Sequence, residues 1–512
     1  MHLDDAYSFV RAASRRAGGG IYVGGGTDGA VWASPERAVL VLGPPRSGKT
    51  TSIVIPAILS ATGPVVSTST KPEVMRITAD SRSRAGETLL YDPSGTVERP
   101  PGVAPLVWSP VAACALWDDA RLVARMMNIA SSSGASGSKS APDGHQDHWH
   151  ERAEALLSTL LHAASLEDAP MSTVIKWVDR HQAGPALSIL DESGNELASN
   201  LLGGIAMLEQ RELSGIWSTT SRVLDAYHSQ GAMKTTEGVP FDASQWCRDA
   251  GTIYICASAR HQDVVSPLVV GLLTDIRTAA YERARDGVDV TSPLLLALDE
   301  VANIAPLPDL SKTVSEGGGQ GVITLACLQD LSQARARWGT SAEGWLSLFG
   351  TTVVLPGIQD VKTLEMLSSL AGEEEVVTKS ISVPVDEDRG HMRVMIDHFA
   401  RRGSPSQAMP SVTTSTRIRP RLAVDELSRG EDGKALVVDE RSNMGYVKLT
   451  PWFSEEPWRS VVSQNRILEI ERPQVMSQQP SLQQQPQQKA PHQALRQTVQ
   501  QAPELQSPSL EL

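Results

Sequence analysis

The sequence of 512 residues predicts a doubly wound α/β fold with an inserted all-α domain and a disordered C-terminal tail. Three observations lead to this prediction. Short apolar runs alternate with helical segments over residues 36–111 and 241–471, as in sheets covered by helices on both faces. Residues 112–240 are rich in Ala, Leu, Arg and Glu and lack β-like runs. Residues 472–512 are rich in Gln, Pro and Ser, a composition typical of disorder.

The chain can be divided into elements in order. An N-terminal segment, 1–35, carries a helix candidate at 4–16 and two glycine triplets that suggest a hairpin or a loop. Residues 374–416 resemble an insertion or a mobile loop. The predicted helices are 118–130, 147–165, 172–181, 186–190, 196–227 and 264–285. The predicted strands are 38–42, 64–68, 88–91, 251–257, 293–300, 321–328, 351–355, 435–438 and 446–449.

A glycine-rich loop follows the first predicted strand and fits the pattern G-x-x-x-x-G-K-[ST], the phosphate-binding P-loop. Its glycines let the backbone N–H groups approach a phosphate, the lysine places a charge on the β- and γ-phosphates, and the threonine hydroxyl reaches Mg²⁺. Pro56 is expected to kink or shorten the helix that follows. The candidate nucleotide-binding residues are Gly43, Pro44, Pro45, Arg46, Ser47, Gly48, Lys49, Thr50 and Thr51.

A second half of the nucleotide site is predicted at the apolar strand 293–300, which ends in two carboxylates. Parallel sheets bind ligands at the carboxyl ends of their strands, so Asp299 is expected to emerge there and hold Mg²⁺. Glu300 beside it is the candidate general base that polarises the attacking water. The pattern is that of a Walker B strand, although an ordinary strand end can also carry two acids.

Further polar residues have alternative interpretations. Gln329 follows the next predicted strand and either orients water at the γ-phosphate or is a solvated strand end. Arg335 and Arg337 are candidates for the arginine that offsets transition-state charge, often in a neighbouring subunit, but amphipathic surface helices carry arginines too. Lys71 and Glu73 lie either near the same face of the sheet or in a surface turn.

Composition limits the function classes. Aromatic residues are 4% of the chain, which argues against a base-stacking surface of the single-strand-binding kind. The formal net charge of -13 argues against an extended DNA-coating surface and leaves open a pore or loop with local positive charge. The length predicts two to three domains.

Cysteine and histidine patterns indicate neither disulfides nor a zinc site. The four cysteines form no C-x-x-C, and Cys256 and Cys327 lie in apolar runs, which predicts buried thiols in a reducing cytoplasm. For His148, His150 and His162 structural or capping roles are preferred over metal binding. No apolar run is long enough to predict a membrane-spanning segment.

Several segments of the chain together form a recognisable set of motifs. The most specific segment begins at Leu298-Asp299-Glu300-Val301-Ala302-Asn303 and continues through 316–322 and 328–333. The other segments are the P-loop, Lys71-Pro72-Glu73, Tyr91-Asp92-Pro93-Ser94-Gly95, Trp108-Ser109-Pro110, Arg419-Pro420-Arg421-Leu422 and Asp425-Glu426-Leu427. With these motifs the chain resembles the TraG/TraD-type coupling proteins of type IV secretion and bacterial conjugation, over about residues 36–455 excluding the loops.

The resemblance implies a RecA-like motor domain that forms a hexameric ring, with ATP and Mg²⁺ as cofactors. It implies DNA, single- or double-stranded, as substrate, and relaxase or relaxosome proteins and type IV secretion channel proteins as partners. Lys49, Thr50, Asp299, Glu300 and Gln329 match the family's nucleotide-site positions. The implied location is the cytoplasmic face of the cell membrane, as a peripheral protein.

Three departures from the family pattern stand out. The family normally begins with transmembrane helices, and the sequence predicts none here. Some relatives carry a basic residue in the stretch that is Gly317-Gly318-Gly319 here, which leaves Arg335 or Arg337 as the candidate arginine finger. Thr68-Ser69-Thr70 replaces an acidic position before Lys71.

Two alternatives to a coupling motor remain open from the sequence. One is a soluble DNA-translocating ATPase unconnected to secretion, suggested because the sequence predicts no membrane anchor. The other is an adaptor that binds nucleotide without hydrolysing it, against which Glu300 argues.

Overall fold

The computed structural model describes residues 2–133, 144–257, 260–287, 292–382 and 411–462. The predicted disordered tail lies outside the described residues. The described strands are β1 (Tyr22–Gly26), β2 (Gly29–Trp32), β3 (Val39–Leu42), β4 (Val65–Ser69), β5 (Thr88–Tyr91), β6 (Ala104–Pro105), β7 (Thr252–Cys256), β8 (Leu294–Leu298), β9 (Val322–Leu328), β10 (Thr351–Val354), β11 (Glu373–Ser382), β12 (Ser411–Pro420), β13 (Lys434–Val438) and β14 (Met444–Lys448).

One sheet of twelve strands organises the fold, in the order β2-β1-β14-β13-β10-β3-β9-β8-β4-β7-β5-β6. The strands from β10 to β6 pair in parallel, while β13, β14, β1 and β2 extend the sheet in antiparallel fashion. All nine predicted strands are present within a few residues of their predicted ends. The α/β prediction is therefore confirmed, and the sheet is mixed rather than purely parallel.

The described helices cover both faces of this sheet. They are α1 (Leu3–Arg16), α2 (Ile55–Ser60), α3 (Glu73–Arg82), α4 (Trp117–Ser133), α5 (Gly144–Leu166), α6 (Met171–Asp179), α7 (Gly184–Glu192), α8 (Glu196–Ala206), α9 (Gln210–Val223), α10 (Gln230–Lys234), α11 (Ala243–Trp246), α12 (Gln262–Arg285), α13 (Leu310–Gly317), α14 (Leu331–Trp338), α15 (Trp345–Leu348), α16 (Val361–Ala371), α17 (Val424–Arg429) and α18 (Trp458–Val461).

The central strands are apolar on both faces because each face is buried in its own core. In β3, Leu40 and Leu42 face the core that also contains α4, α5, α9 and α12, whereas Val39 and Val41 face α1, α2 and Trp458. Side chains of successive strand residues point to opposite faces, so a run without polar interruption is what a doubly covered strand requires. All four cysteines are buried and free, as predicted for Cys256 and Cys327.

The predicted N-terminal segment 1–35 joins the same sheet. Its glycine triplets belong to the hairpin of β1 and β2, and Gly25 of β1 pairs with Lys448 of β14. The α1 helix packs against α2 and α18. The domain boundaries at 35, 111 and 240 remain a proposal.

The helical region between β6 and β7 corrects one prediction. The predicted single helix 196–227 is divided into α8, α9 and a short 3₁₀ turn at Asp225–His228. Met207, Leu208 and Glu209 break it, and Glu209 has an extended backbone with φ -61° and ψ 144°. The break lets α8 and α9 each pack on α5 as separate helices.

The sequence predicts an insertion or a mobile loop at residues 374–416; the described flanks are paired strands and not a loop, and an insertion stays a prediction. The two flanks, β11 and β12, pair in antiparallel register from Glu373 opposite Pro420 to Ser382 opposite Ser411. The pairing joins residues far apart in sequence, and the acidic run 373–375 at its start masked the strand signal. Residues 383–410 lie outside the described residues.

The helix after the P-loop is interrupted, as expected from Pro56. Residues Thr50–Val54 form a π-helical turn, and α2 continues from Ile55 with Pro56 in its first turn. Proline has no N–H to donate, so the change of hydrogen-bond pattern occurs where the chain cannot maintain the α-helical ladder.

One described helix, α12, is long and apolar enough to cross a membrane by length and composition, contrary to the sequence prediction. Of its most apolar window, 78% is buried inside the protein. It packs against α4 and lies in the core shared by the sheet and the helical region.

Candidate nucleotide site

A cavity of about 390 Å³ opens at the carboxyl ends of the parallel strands β3, β4, β8 and β9. It brings together most of the predicted site residues, which come from three separate parts of the chain. Gly43 and Pro44 lie at the base of the loop, just outside the lining. The lining residues are Pro45, Arg46, Ser47, Gly48, Lys49, Thr50, Thr51, Ser69, Thr70, Lys71, Glu73, Asp299, Glu300, Cys327, Leu328, Gln329 and Gln333.

The loop conformation depends on its glycines. Gly48 has φ +95°, a region that glycine adopts without steric cost, and a Cβ at Gly43 would lie 2.9 Å from the Leu355 Cβ. Arg46 has φ 65° without being glycine, so its backbone is strained. The Ser47 hydroxyl is buried and has no hydrogen-bond partner among the described residues. These features form a preshaped cradle with an unsatisfied polar group, which fits an oxyanion ligand.

The Lys49 ammonium group folds back over the loop. Its Nζ donates hydrogen bonds to the carbonyl oxygens of Gly43 and Pro44, at 2.5 and 3.0 Å. Carbonyl acceptors hold the charge in place without neutralising it. A bound phosphate would compete for the same donors, because a charged acceptor makes the stronger hydrogen bond.

Thr50 and Asp299 lie in direct contact, although 249 positions separate them. Thr50 Oγ1 donates to Asp299 Oδ2 at 2.9 Å, and the Thr68 hydroxyl on the neighbouring strand donates to the Asp299 carbonyl oxygen at 3.1 Å. Burial raises the pKa of Asp299, an effect that the Thr50 hydrogen bond and the Lys49 charge oppose. A buried carboxylate with too little positive charge nearby favours a cation.

The Thr50–Asp299 pair fits Mg²⁺. Mg²⁺ binds hard oxygen ligands and keeps several waters, so one carboxylate and one hydroxyl supplemented by phosphate oxygens are sufficient. In the described part of the chain, no three His, Cys, Asp or Glu side chains cluster as a protein-only metal site. His148 Nε2 instead lies 3.1 Å from Glu212 Oε1, and His162 Nδ1 lies 2.9 Å from the Cys114 carbonyl oxygen.

Glu300 occupies a special backbone position directly after β8. It has φ 54°, in the left-handed region that non-glycine residues rarely adopt. Its carbonyl oxygen accepts the N–H groups of Asn303 and Ile304, at 2.9 and 3.2 Å, which fixes the turn. The side chain is half-buried in the cavity wall. Strain of this kind is kept where the surrounding structure dictates the direction of a side chain.

Gln329 emerges between the two halves of the site because β9 lies between β3 and β8 in the sheet. Gln333 also lines the cavity, and sequence reasoning missed it. The Gln333 side-chain oxygen accepts the backbone N–H of Gln329 at 2.9 Å. The four-residue spacing at the start of α14 was the available signal, because it brings a side chain back over the helix N-terminus.

Lys71 and Glu73 line the cavity, although both side chains are exposed. Ser69 and Thr70, which stand near the family's acidic position, line it too, and Ser69 Oγ accepts the Lys71 backbone N–H at 3.3 Å. Lys71 and Glu73 therefore lie on the same side of the sheet as the P-loop, as one alternative predicts. Their exposure also agrees with the other alternative, a surface turn.

Arg335 and Arg337 do not line the cavity. Arg335 Nη2 donates to Asp360 Oδ2 at 2.6 Å, and Arg337 Nη2 donates to the Ala130 carbonyl oxygen at 3.4 Å. Within its own chain, neither guanidinium is directed at the nucleotide site. Action of either arginine in the site of a neighbouring subunit remains a proposal.

The structure explains why Gly317-Gly318-Gly319 carries no basic side chain at its centre. A Cβ at Gly318 would lie 1.8 Å from the Glu36 carbonyl oxygen, and one at Gly317 would lie 2.7 Å from that of Val322. Gly319 has open space around it. Only the third position could accept a side chain without moving the backbone.

The family described as type IV secretory system conjugative DNA transfer matches residues 6–465. Two curated relatives are the conjugal transfer protein TraG of Escherichia coli, 26% identical over 403 residues, and VirD4 of Rhizobium rhizogenes, 22% identical over 349 residues. These alignments cover 71% and 67% of this chain. The chain spans 60% and 50% of the length of these relatives.

Solved structures of the conjugative coupling protein TrwB share the fold. The unbound form superimposes with a TM-score of 0.58 at 16% identity, covering 81% of this chain and 85% of TrwB. A TrwB complex with ADP and Mg²⁺ gives 0.57 at 17% identity, with the same coverage of both chains. With most of its length matched by the family and the same fold as a coupling protein, the chain belongs to the family of type IV secretory system conjugative DNA transfer proteins.

Proposed function

We propose that the chain is an ATP-hydrolysing motor that couples DNA, or protein-linked DNA, to a type IV secretion channel. The observation that carries this proposal is the contact between Thr50 and Asp299, which joins the P-loop to the carboxylate pair at the end of β8 around one cavity. Family membership supports the DNA-transfer part. TrwB, which shares the fold, has been solved with ADP and Mg²⁺ and with non-hydrolysable GTP and ATP analogues.

The residues of the cavity have distinct roles in this proposal. Backbone N–H groups of 46–51 and the Lys49 ammonium group bind the β- and γ-phosphates, and Lys49 exchanges its carbonyl partners for phosphate oxygens. Thr50 and Asp299 would hold Mg²⁺, which supplies positive charge to the phosphate oxygens when bound.

Hydrolysis itself depends on Glu300 and Gln329. Glu300 accepts a proton from water as the water oxygen forms its bond to the γ-phosphorus. The bond to the bridging oxygen breaks, and ADP leaves with the electron pair. Gln329 orients the water, and Gln333 holds the Gln329 backbone in position. An arginine from a neighbouring subunit, Arg335 or Arg337, would offset the remaining charge.

The partners and location are part of the same proposal. The chain works as a homo-hexamer on single- or double-stranded DNA, receives it from relaxase or relaxosome proteins, and delivers it to channel proteins. It acts as a peripheral protein at the cytoplasmic face of the cell membrane. Family membership supports the DNA and channel partners.

The test is the ATPase rate of the full chain with and without single- and double-stranded DNA, together with its size in solution. We expect DNA to stimulate hydrolysis, and we expect Lys49→Ala and Glu300→Gln each to lower the rate by about a hundredfold or more. Glu365→Gln is the matched control, because Glu365 is an exposed carboxylate on α16 outside the cavity. Hydrolysis that persists in Lys49→Ala would refute the proposed site.

The ATPase assay, combined with a nucleotide-binding measurement and a conjugation assay, separates the alternatives. A nucleotide-binding adaptor would bind ATP in both wild type and Glu300→Gln and hydrolyse it in neither. A DNA-translocating ATPase unconnected to secretion would show DNA-stimulated hydrolysis but no requirement in a conjugation assay. A coupling motor requires Lys49 and Glu300 in both measurements.

A further inference from the structure

A second cavity, of about 310 Å³, lies on the other side of the molecule from the P-loop. It forms between α1 and the C-terminal end of α3, and its polar lining is Asp4, Tyr7, Ser8, Arg11, Arg15 and Arg84. Arg11 Nη2 donates to the Thr62 carbonyl oxygen at 2.8 Å, just before β4 begins. The cavity is therefore at the amino edge of the parallel strands, whereas the nucleotide cavity is at their carboxyl edge.

Positive charge exceeds negative charge in this cavity. Three guanidinium groups line it with one carboxylate, Asp4, which pairs with Arg84 at 2.7 Å. Arg84 also lies 3.4 Å from Asp80, outside the lining, so the excess of positive charge rests on Arg11 and Arg15. Among the described residues, no carboxylate lies within ion-pair distance of Arg11 or Arg15. In a chain with a formal net charge of -13, these two arginines form a local excess of positive charge.

A fourth arginine, Arg82, lies behind the cavity wall and donates a hydrogen bond to the Tyr7 hydroxyl. The Arg82 side chain is fully buried and donates only to neutral oxygens, which include the carbonyl groups of Ala61, Gly63 and Ala250 and the Thr252 hydroxyl. Burial lowers the pKa of Arg11, and the nearby charges of Arg82 and Arg15 lower it further, while Tyr7 opposes them. The protein therefore pays an electrostatic penalty that an anion in the cavity would relieve.

One donor in the cavity wall is unsatisfied. Arg11 Nε is buried and has no hydrogen-bond partner among the described residues, while its guanidinium lies 5.5 Å from the centre of the Tyr7 ring. Buried donors in native proteins are nearly always paired. Together with the hydroxyls of Tyr7 and Ser8, the arginines present donors of the kind that bind tetrahedral oxyanions with several acceptor oxygens.

We propose that the cavity formed by Tyr7, Ser8, Arg11, Arg15 and Arg84 is a binding site for a phosphate group, separate from the nucleotide site. A phosphate fits better than a carboxylate, because its charge and its oxygens engage more than one guanidinium fork at once. The group belongs either to a soluble phosphate compound or to the headgroup of an anionic lipid. This inference does not depend on hydrolysis at the P-loop.

The test is a titration of inorganic phosphate, followed by calorimetry, into the full-length Lys49→Ala variant, in which the P-loop loses its phosphate-binding ammonium group. We expect saturable binding that weakens by about tenfold in Lys49→Ala with Arg15→Gln added, and further with Arg11→Gln. Arg15 is exposed, so Arg15→Gln should fold even if Arg11→Gln does not.

Arg16→Gln is the matched control, because Arg16 is an exposed arginine on the same helix that does not line the cavity. Its binding should equal that of the Lys49→Ala parent. An equal loss in the Arg16→Gln and Arg15→Gln variants would overturn the site, since it would indicate a diffuse charge effect.

Vesicles distinguish the two sources of the phosphate group. If phosphatidylglycerol vesicles, but not phosphatidylcholine vesicles, bind the protein in an Arg15-dependent manner, the ligand is a lipid headgroup. If only inorganic phosphate binds in that manner, the ligand is a soluble compound. Failure of both probes to show Arg15-dependent binding would overturn the proposal and leave the proposed ATPase function untouched.

Discussion

Asp299 at the carboxyl edge of the sheet and Asp275 in α12 are two largely buried acids with different surroundings. Burial raises the pKa of both, and that of Asp275 reaches about 6. Asp275 accepts a hydrogen bond from Trp108 Nε1 at 2.9 Å inside the packed contact between the sheet and the helical region. Asp299 has the Thr50 hydroxyl on one side and an open cavity on the other. The pKa of both carboxyl groups is therefore raised, but only Asp299 faces a cavity with room for a ligand.

The largest expected effect is on ATPase activity, from a substitution of Asp299, which faces the cavity. Asp299→Asn keeps the shape and the hydrogen bond to Thr50 but removes the charge that would hold Mg²⁺, so we expect ATPase activity to fall by about a hundredfold or more. Removal of Mg²⁺ by a chelator should lower the ATPase activity of wild type by as much as the substitution does. It should not lower the activity of the Asp299→Asn variant any further. Thermal stability should be unchanged or slightly increased, because a desolvated charge is lost. A fully active Asp299→Asn variant would contradict the proposed metal site.

The next largest effect is on the free energy of unfolding. It compares Gly318, which is tightly enclosed, with its neighbour Gly319, which has open space around it. Gly318→Ala places a Cβ against the Glu36 carbonyl oxygen, and we expect it to lower the free energy of unfolding by about 3 kcal/mol. Gly319→Ala, where the added methyl meets open space, serves as the control and should change it by less than about 0.5 kcal/mol. Denaturant unfolding measures both. Equal destabilisation would mean that the closed position is not as tight as its geometry indicates.

Asp275, the carboxyl group without an open cavity beside it, should make stability depend on pH. The pKa of Asp275 is higher in the folded chain than its ordinary value of 3.8, so the folded state binds the proton more tightly. The contribution of Asp275 to stability therefore falls as pH rises from about 4 to about 6, by about 2 kcal/mol after allowance for partial exposure. Asp275→Asn should remove this slope and be more stable than wild type above pH ~6. Parallel stability curves for the two proteins would contradict this assignment.

The smallest expected effect concerns Arg335, which does not line the nucleotide cavity and donates a hydrogen bond to Asp360. Burial raises the pKa of Asp360, but hydrogen bonds from Thr363 and Arg335 lower it below the ordinary value overall. We expect Arg335→Gln to lower the free energy of unfolding by about 1 kcal/mol. Its ATPase rate per monomer, measured under conditions where subunits do not associate, should match wild type. A lower rate under those conditions would show that Arg335 acts in the site of its own chain.

Much of the site was predictable because its motifs are contiguous. The loop 43–51 and the apolar strand ending in Asp299 and Glu300 each encode their local conformation, since fixed spacing of glycines and apolar residues determines a turn or a buried strand. Gln329 was placed correctly at the end of a strand. Gln333 and Ser69 were missed because their relevance depends on which strands are neighbours, and no local pattern reports that.

The sequence by itself determined the doubly wound strands, the P-loop, the carboxylate pair and most of the helices, because each depends on residues within a single turn or strand. Only the tertiary structure decided that β9 lies between β3 and β8, that the N-terminal hairpin joins β14, and that β11 pairs with β12. It also brought α1 against the end of α3 and thereby assembled the arginine cavity. Such contacts join residues tens to hundreds of positions apart, and they follow from how buried faces pack rather than from any pattern along the chain.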